Sequence, residues 1–196
     1  MLYRQPGLLV LSLMLSACIA EPIAQHVDEQ THKAQNQKFI SAIRKVIQHG
    51  DWIVIRGYHV TDNLVANATG IPISHAAVYD PEQDQVIEAE GQGVHLSTLA
   101  DFVDKSHRLI VIQPRWANKL NRHVAVLKAR SLIGKQYDFL GTIGINSPES
   151  YYCSELTVEI YRQWHHTNEK LPGVIKPAEL YLYGTIIYDS LPRDYQ

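Results

Sequence analysis

The sequence predicts one α+β domain. Some segments carry apolar residues at three-to-four spacing and others run as short β-branched stretches, and the two kinds alternate with no boundary between them. The composition agrees, with 45% hydrophobic and 19% charged residues in a chain of 196. That balance argues against disorder and fibrous repeats. With 18 basic against 20 acidic side chains, no basic surface is available for nucleic acid. A chain of this length can bury roughly 70% of its unfolded surface, so folding needs neither a disulfide scaffold nor a structural metal. The two cysteines therefore call for another explanation.

Each element follows from its residues. Residues 21–37 are polar and suit a tether whose last part merges into a helix carrying Phe39, Ile43, Val46 and Ile47, stopped at Gly50. Trp52 to Ile55 reads as a buried strand closed by Gly57, and Tyr58 to Pro72 reads as a loop. Ser74 to Tyr79 and Gln85 to Glu90 flank the turn-rich Asp80-Pro81-Glu82-Gln83-Asp84, the pattern of a hairpin. Gly91 to Leu96 extends that strand or folds back, and Ser97 to Val103 resembles a short capped helix. Leu109 to Ile112 is a strand ended by Pro114, and residues 118–134 space Leu120, Val124 and Leu127 for an amphipathic helix. A loop with Gly141, Gly144 and Pro148 precedes Cys153, and a helix from Ser154 to about Trp164 follows it. A linker over residues 171–177, a short helix at 178–182 and a strand at 186–188 close the chain, giving about four helices and five strands.

The amino terminus reads as an export signal. Arg4 precedes the apolar run Leu8 to Leu15, which is about half the roughly 20 residues of a membrane-spanning helix. Leu15-Ser16-Ala17-Cys18 looks like a lipobox, with Cys18 as the acylated first residue after a signal spanning residues 1–17. The expected organisation is then a lipidated tether over residues 18–37 and a single domain over 38–196. Such a protein faces the periplasm from the bacterial cell envelope, and Ile19 after the cysteine favours the outer membrane. Lipidation leaves Cys153 unpaired in an oxidising compartment, where a free thiol is a liability unless it is used; a Cys18–Cys153 disulfide is the competing arrangement.

Cys153 falls at a helix amino terminus, where free N–H groups favour a thiolate and can hold an oxyanion. A thiol nucleophile needs a base, usually histidine. Among the ten histidines, six read as solvent-facing, namely His26, His32, His49, His123, His165 and His166. His59, His95 and His107 stay open, and His75 stands apart because it begins the small apolar run Ala76-Ala77-Val78. An orienting carboxylate comes from the hairpin. Depending on register, Glu88 or Glu90 lies opposite His75, or both lie on the other face. Spacing alone leaves that choice open. No HxxxH or CxxC spacing occurs, so neither a metal nor a cofactor is expected.

Four segments, Gly50-Asp51-Trp52-Ile53-Val54, Ser74-His75-Ala76-Ala77-Val78-Tyr79, Val86-Ile87-Glu88-Ala89 and Tyr152-Cys153-Ser154-Glu155-Leu156, resemble the permuted papain-like amidases, the YaeF/YiiX group of the NlpC-type superfamily. The order of histidine before cysteine is the rearranged one. The resemblance implies a circularly permuted papain-like fold, a small antiparallel sheet packed on helices that include the nucleophile helix. It implies Cys153 as nucleophile, His75 as general base and acid, and Glu88, rather than Glu90, as the group that orients it. The backbone of Cys153, with Tyr152 as a further donor, would form the oxyanion hole. The implied activity is a cysteine hydrolase, peptidase-like, cleaving amide bonds in wall peptides or related amides. A thioesterase or acyltransferase acting on lipids is the alternative on the same triad, and a non-catalytic envelope binding protein is another. The expected partners are a small peptide, amide or lipid substrate and the membrane, through the anchor; the sequence assigns no oligomeric state.

Overall fold

The computed structural model describes residues 23–166 and 169–196. The signal segment 1–17 and Cys18 lie outside the described residues, and among those described no helix is long and apolar enough to cross a membrane. The elements are α1 (Glu29–Ile43), β1 (Trp52–Gly57), α2 (Val60–Thr69), β2 (His75–Asp80), β3 (Gln85–Glu90), β4 (Gly93–Thr98), α3 (Leu99–Asp104), β5 (Ser106–Pro114), α4 (Arg122–Ser131), β6 (Gln136–Tyr137), β7 (Ser150–Tyr151), α5 (Cys153–Glu159) and β8 (Gly184–Asp189).

Six strands pair antiparallel in the order β4-β3-β2-β1-β5-β8. The sheet is covered on both faces, which is why its central strands read as unbroken apolar runs. Trp52, Val54, Ala76 and Val78 pack with Ala125 and Ala129 of α4 and Leu156 of α5. Ile53, Ile55, Ala77 and Tyr79 pack with Phe39 and Ile43 of α1 and Phe102 of α3. Successive side chains point to opposite faces, so β1 and β2 serve both cores at once. The result is a helix–sheet–helix sandwich, an α+β domain as the sequence predicts.

A partly buried and a buried ion pair brace the helical side. Arg130 of α4 binds Asp80 with two hydrogen bonds of 2.6 and 2.8 Å, and Arg122 donates to the carboxylate of Asp51 and, at 2.9 Å, to the carbonyl of His49. At the other margin Gly93 (φ +103°) lets β4 lie against the next segment, since a Cβ there would sit 2.4 Å from the Lys135 carbonyl. Val94 N–H donates to that same carbonyl at 2.8 Å.

Several elements depart from the sequence reading. The expected loop over 58–72 holds α2, whose apolar residues are too scattered to show a stripe; Asp62 in its first turn accepts from the His59 N–H at 3.0 Å and Gly70 (φ +66°) ends it. The first helix starts at Glu29, capped by the Asp28 carboxylate accepting from Thr31 N–H at 2.9 Å, so residues 29–37 belong to it. Gly91 to Leu96 folds back, with β4 running to Thr98. The helix expected over 118–134 spans only Arg122–Ser131, because Asn118 and Asn121 bond each other's backbone in a turn. The helix after the cysteine begins at Cys153 itself and gives way to a 3-10 turn at Arg162–Trp164. The sheet has six strands, and a two-residue parallel pair, β6 with β7, joins the segments on either side of the 138–149 loop.

Candidate active site

The nucleophile candidate and its helix are positioned by burial. Leu156 is fully buried on β2 and β3, and Ser154 Oγ donates to the Ile175 carbonyl at 2.6 Å, which fixes the first turn of α5. Cys153 is the first helical residue, a free and buried thiol. Its N–H is one of those that a helix leaves without an intrahelical acceptor.

His75 opens β2. Strand parity puts its side chain on the side of Ala77 and Tyr79, the opposite side of the sheet from α5. Its place at the strand's first residue sets the ring at the sheet's margin, where it lines the same cleft as Cys153 and interacts electrostatically with it. Its Nε2 is 2.6 Å from Oε2 of Glu88 and 3.6 Å from Glu90. The Nε2 contact to Glu88 leaves Nδ1 free of that carboxylate.

The observed register pairs Ala77 with Glu88, which puts Glu90 opposite His75 by extension and Glu88 one diagonal step away on the same face. The diagonal glutamate makes the short contact, within the reach of a cross-strand diagonal. Glu88 is fully buried and carries three partners: His75, Lys105 Nζ at 2.6 Å, and the Ser97 hydroxyl, which donates to Oε1. Lys105 also donates to Glu90 at 2.7 Å. His95 approaches the same carboxylates at 3.6 and 3.7 Å.

Electrostatics follow the geometry. Burial alone would lower the pKa of His75, but the contacts with Cys153 and Glu88 outweigh it and hold the imidazole well above its ordinary value. Burial would raise Glu88, yet His75 and Lys105 hold its carboxyl well below the usual carboxylate range. The pair is therefore an imidazolium against a carboxylate. Burial pushes the Tyr152 phenol up to about 12, and its oxygen accepts from Ile175 N–H at 3.1 Å. Tyr137 is likewise raised, by burial and then by its electrostatic interaction with Cys153. Its ring packs against Phe139 with centroids 4.7 Å apart.

The structure thus gathers Cys153, His75 and Glu88, with Glu90 and Tyr152 close by. His107 lies instead 3.0 Å from Asp194, and His59 sits at the start of α2. Two histidines read as solvent-facing are largely covered: His32 bonds Asp104 at 3.1 Å, and His165 lies against Trp116 with centroids 4.1 Å apart. Lys105, Ser97 and Tyr137 escaped the sequence reading, since each reaches the site from an element with no motif. Three donor groups, His75, Glu88 and Glu90, also converge within 4.8 Å, a cluster built across strands that spacing along the chain does not reveal.

A family described as "Permuted papain-like amidase enzyme, YaeF/YiiX, C92 family" matches residues 46–176, more than half of the chain. The chain belongs to the permuted papain-like amidase family. Membership gives it the rearranged papain fold of that family. A solved structure, that of the metalloprotein yiiX from Escherichia coli O157:H7, is similar at 22% identity with a TM-score of 0.51, over 59% of this chain. The chain spans 65% of that protein's length, and at this identity the likeness speaks for the fold. None of the curated proteins matches the chain.

Proposed function

We propose that this permuted papain-like amidase is a thiol hydrolase in which Cys153 attacks an amide carbonyl, His75 carries the proton and Glu88 orients the imidazole. One observation supports this reading above the others: a single buried ring bonds a fully buried carboxylate and lines the same cleft as the thiol, with which it interacts electrostatically. The step begins with the sulfur attacking the carbonyl carbon while the oxygen develops negative charge. The Cys153 N–H at the start of α5 faces the region where that charge appears, and the Tyr137 phenol, beside the thiol, is the side-chain donor we assign to it. Tyr152, whose oxygen accepts from Ile175 N–H, holds the segment behind the site. His75 gives its proton to the leaving amine, and water, deprotonated by the same ring, then releases the acyl group from sulfur. The decisive experiment is Cys153→Ala: hydrolysis of a model amide or ester should vanish with stability unchanged, and retained hydrolysis would refute the assignment.

The yiiX protein is described as a metalloprotein, which raises the question of whether these residues would fit a metal. His75, Glu88 and Glu90 offer suitable atoms. The Lys105 ammonium, however, lies 2.6 and 2.7 Å from the two carboxylates and already occupies the cationic place between them. As arranged, the donors do not fit a divalent ion, and no step is routed through one.

We also propose that Cys18 is acylated and tethers the domain in the envelope, on the strength of Leu15-Ser16-Ala17-Cys18. Mass spectrometry of the mature amino terminus tests this: a diacyl or triacyl cysteine supports it, and an unmodified residue overturns it.

A further inference from the structure

A cleft of about 800 Å³ opens at Cys153 and His75 and runs between α2 on one side and the segments around residues 139–143 and 174–177 on the other. Its size lies within the roughly 300–1,000 Å³ of small-molecule sites. Beyond the thiol its walls are mainly aliphatic and aromatic: Leu64, Val65 and Ala68 from α2, facing Phe139, Ile143 and Val174. Leu64, Phe139 and Ile143 are 64%, 65% and 70% exposed, although each is large and apolar. Three such side chains lining one cleft form an apolar patch of the sort that marks a binding surface.

The charged groups of the lining nearest the thiol are already engaged. Asp62 accepts from Ser74 Oγ at 2.6 Å and from the His59 N–H at 3.0 Å, and Lys105 bridges Glu88 and Glu90. Lys176 lies 4.0 Å from Glu179. Beside the thiol this leaves little free charge for a peptide bearing carboxylates and amines.

We propose that the cleft takes an unbranched aliphatic acyl chain, so that the substrate is a long-chain acyl amide or ester whose carbonyl lies at Cys153 and whose hydrocarbon runs between α2 and Phe139–Ile143. The proposal rests on the thiol-hydrolase reading for its chemistry. Sulfur bonds to the acyl carbon, the bond to nitrogen breaks and the amine leaves with the proton from His75. Water then breaks the thioester, giving the fatty acid and restoring the thiol. Val174 and the Ile175 carbonyl that holds Ser154 belong to the same wall, which ties the chain's position to that of the nucleophile helix.

The test is calorimetric titration of Cys153→Ala with N-acyl glycinamides from acetyl to dodecanoyl, kept below their critical micelle concentrations, alongside a dipeptide amide. Affinity should climb two- to fourfold per added methylene, the factor that burial of a CH₂ supplies, and Ala68→Trp, an exposed lining position on α2, should flatten the climb. Equal affinity for acetyl and dodecanoyl compounds, or tightest binding of the dipeptide amide, overturns the proposal. Turnover by the wild-type chain is scored separately. A methylene gradient without turnover refutes the hydrolase reading and leaves the groove, whereas turnover without a gradient refutes the groove and leaves the hydrolase.

Discussion

Lys105 Nζ stands 2.6 Å from Oε2 of Glu88, the same oxygen that meets His75. The carboxylate is thus held between an ammonium and an imidazolium, and its position is fixed by groups on three elements of the fold. Lys105 acts on the site through Glu88 and is a positioning residue. Lys105→Met should lower kcat about 10- to 100-fold, the range for outer partners of a functional group, with KM nearly unchanged. A pH–rate profile should shift with it, as a merely structural loss would not require; an unshifted profile with unchanged kcat would remove Lys105 from the mechanism.

The same lysine keeps a metal from the three donors. Lys105→Ala should bind Zn²⁺ at least about tenfold more tightly than the wild type, a gain typical of second-sphere changes at a metal site. Adding His75→Ala should abolish the gain. A chelating-indicator titration checks both, and equal zinc affinity in all three chains would contradict the role given to the ammonium.

Glu88 and Glu90 differ in burial, fully buried against partly exposed. Glu88→Ala strands Lys105 and His75 and should cost roughly 3–5 kcal/mol in urea denaturation, the usual loss when one partner of a buried pair is removed. Glu90→Ala should cost about 1 kcal/mol or less, as an exposed pair does. Equal losses would mean that burial does not separate the two carboxylates.

The titration behaviour has a definite sign. The raised His75 pKa stabilises the fold fully below the ordinary value of 6.5, and this is lost as pH rises toward about 10; the lowered Glu88 pKa stabilises it above 4.5, and this is lost as pH falls further. The unfolding free energy of the wild type minus that of a His75→Gln, Glu88→Gln double variant should be greatest between those two ordinary values. Cys153→Ala should bring the alkaline loss to lower pH, because one of the two groups holding the imidazole proton is gone. A pH-independent difference would contradict the ion pair.

If the ring activates the thiol, His75→Ala should slow alkylation of Cys153 by iodoacetamide at neutral pH by about tenfold or more. Tyr137→Phe should leave that rate unchanged and lower kcat for amide hydrolysis about 10²-fold, the low end for a lost oxyanion donor. Parallel losses in both assays would point to collapse of the site instead.

The site was legible in the sequence where chemistry and local pattern coincide. A cysteine at a helix start, a histidine opening a strand of small residues and a glutamate on the returning strand are all visible because hairpin pairing is short-range. The hairpin register was not: its observed value nominates Glu90 by direct pairing, and only the diagonal reach of the imidazole selects Glu88. Lys105 and Ser97 were hidden for another reason. Each meets Glu88 across strands or after a helix, where the direction of a side chain depends on packing that no spacing records. The helix α2 was missed because four of its five apolar residues face the cleft or solvent, so burial supplies no periodic stripe.

Arg193, fully enclosed near the carboxyl end, donates to the carbonyls of Val103 and Ser106 and to Asn36 of α1, while its own carbonyl accepts from Gln35. The tail and the first helix are therefore stitched side by side. A short bridge between the two would make a ring of the domain, and reopening that ring near Pro148 would give a polypeptide that reads its thiol before its imidazole, in the unpermuted papain order, with every contact at the sulfur kept.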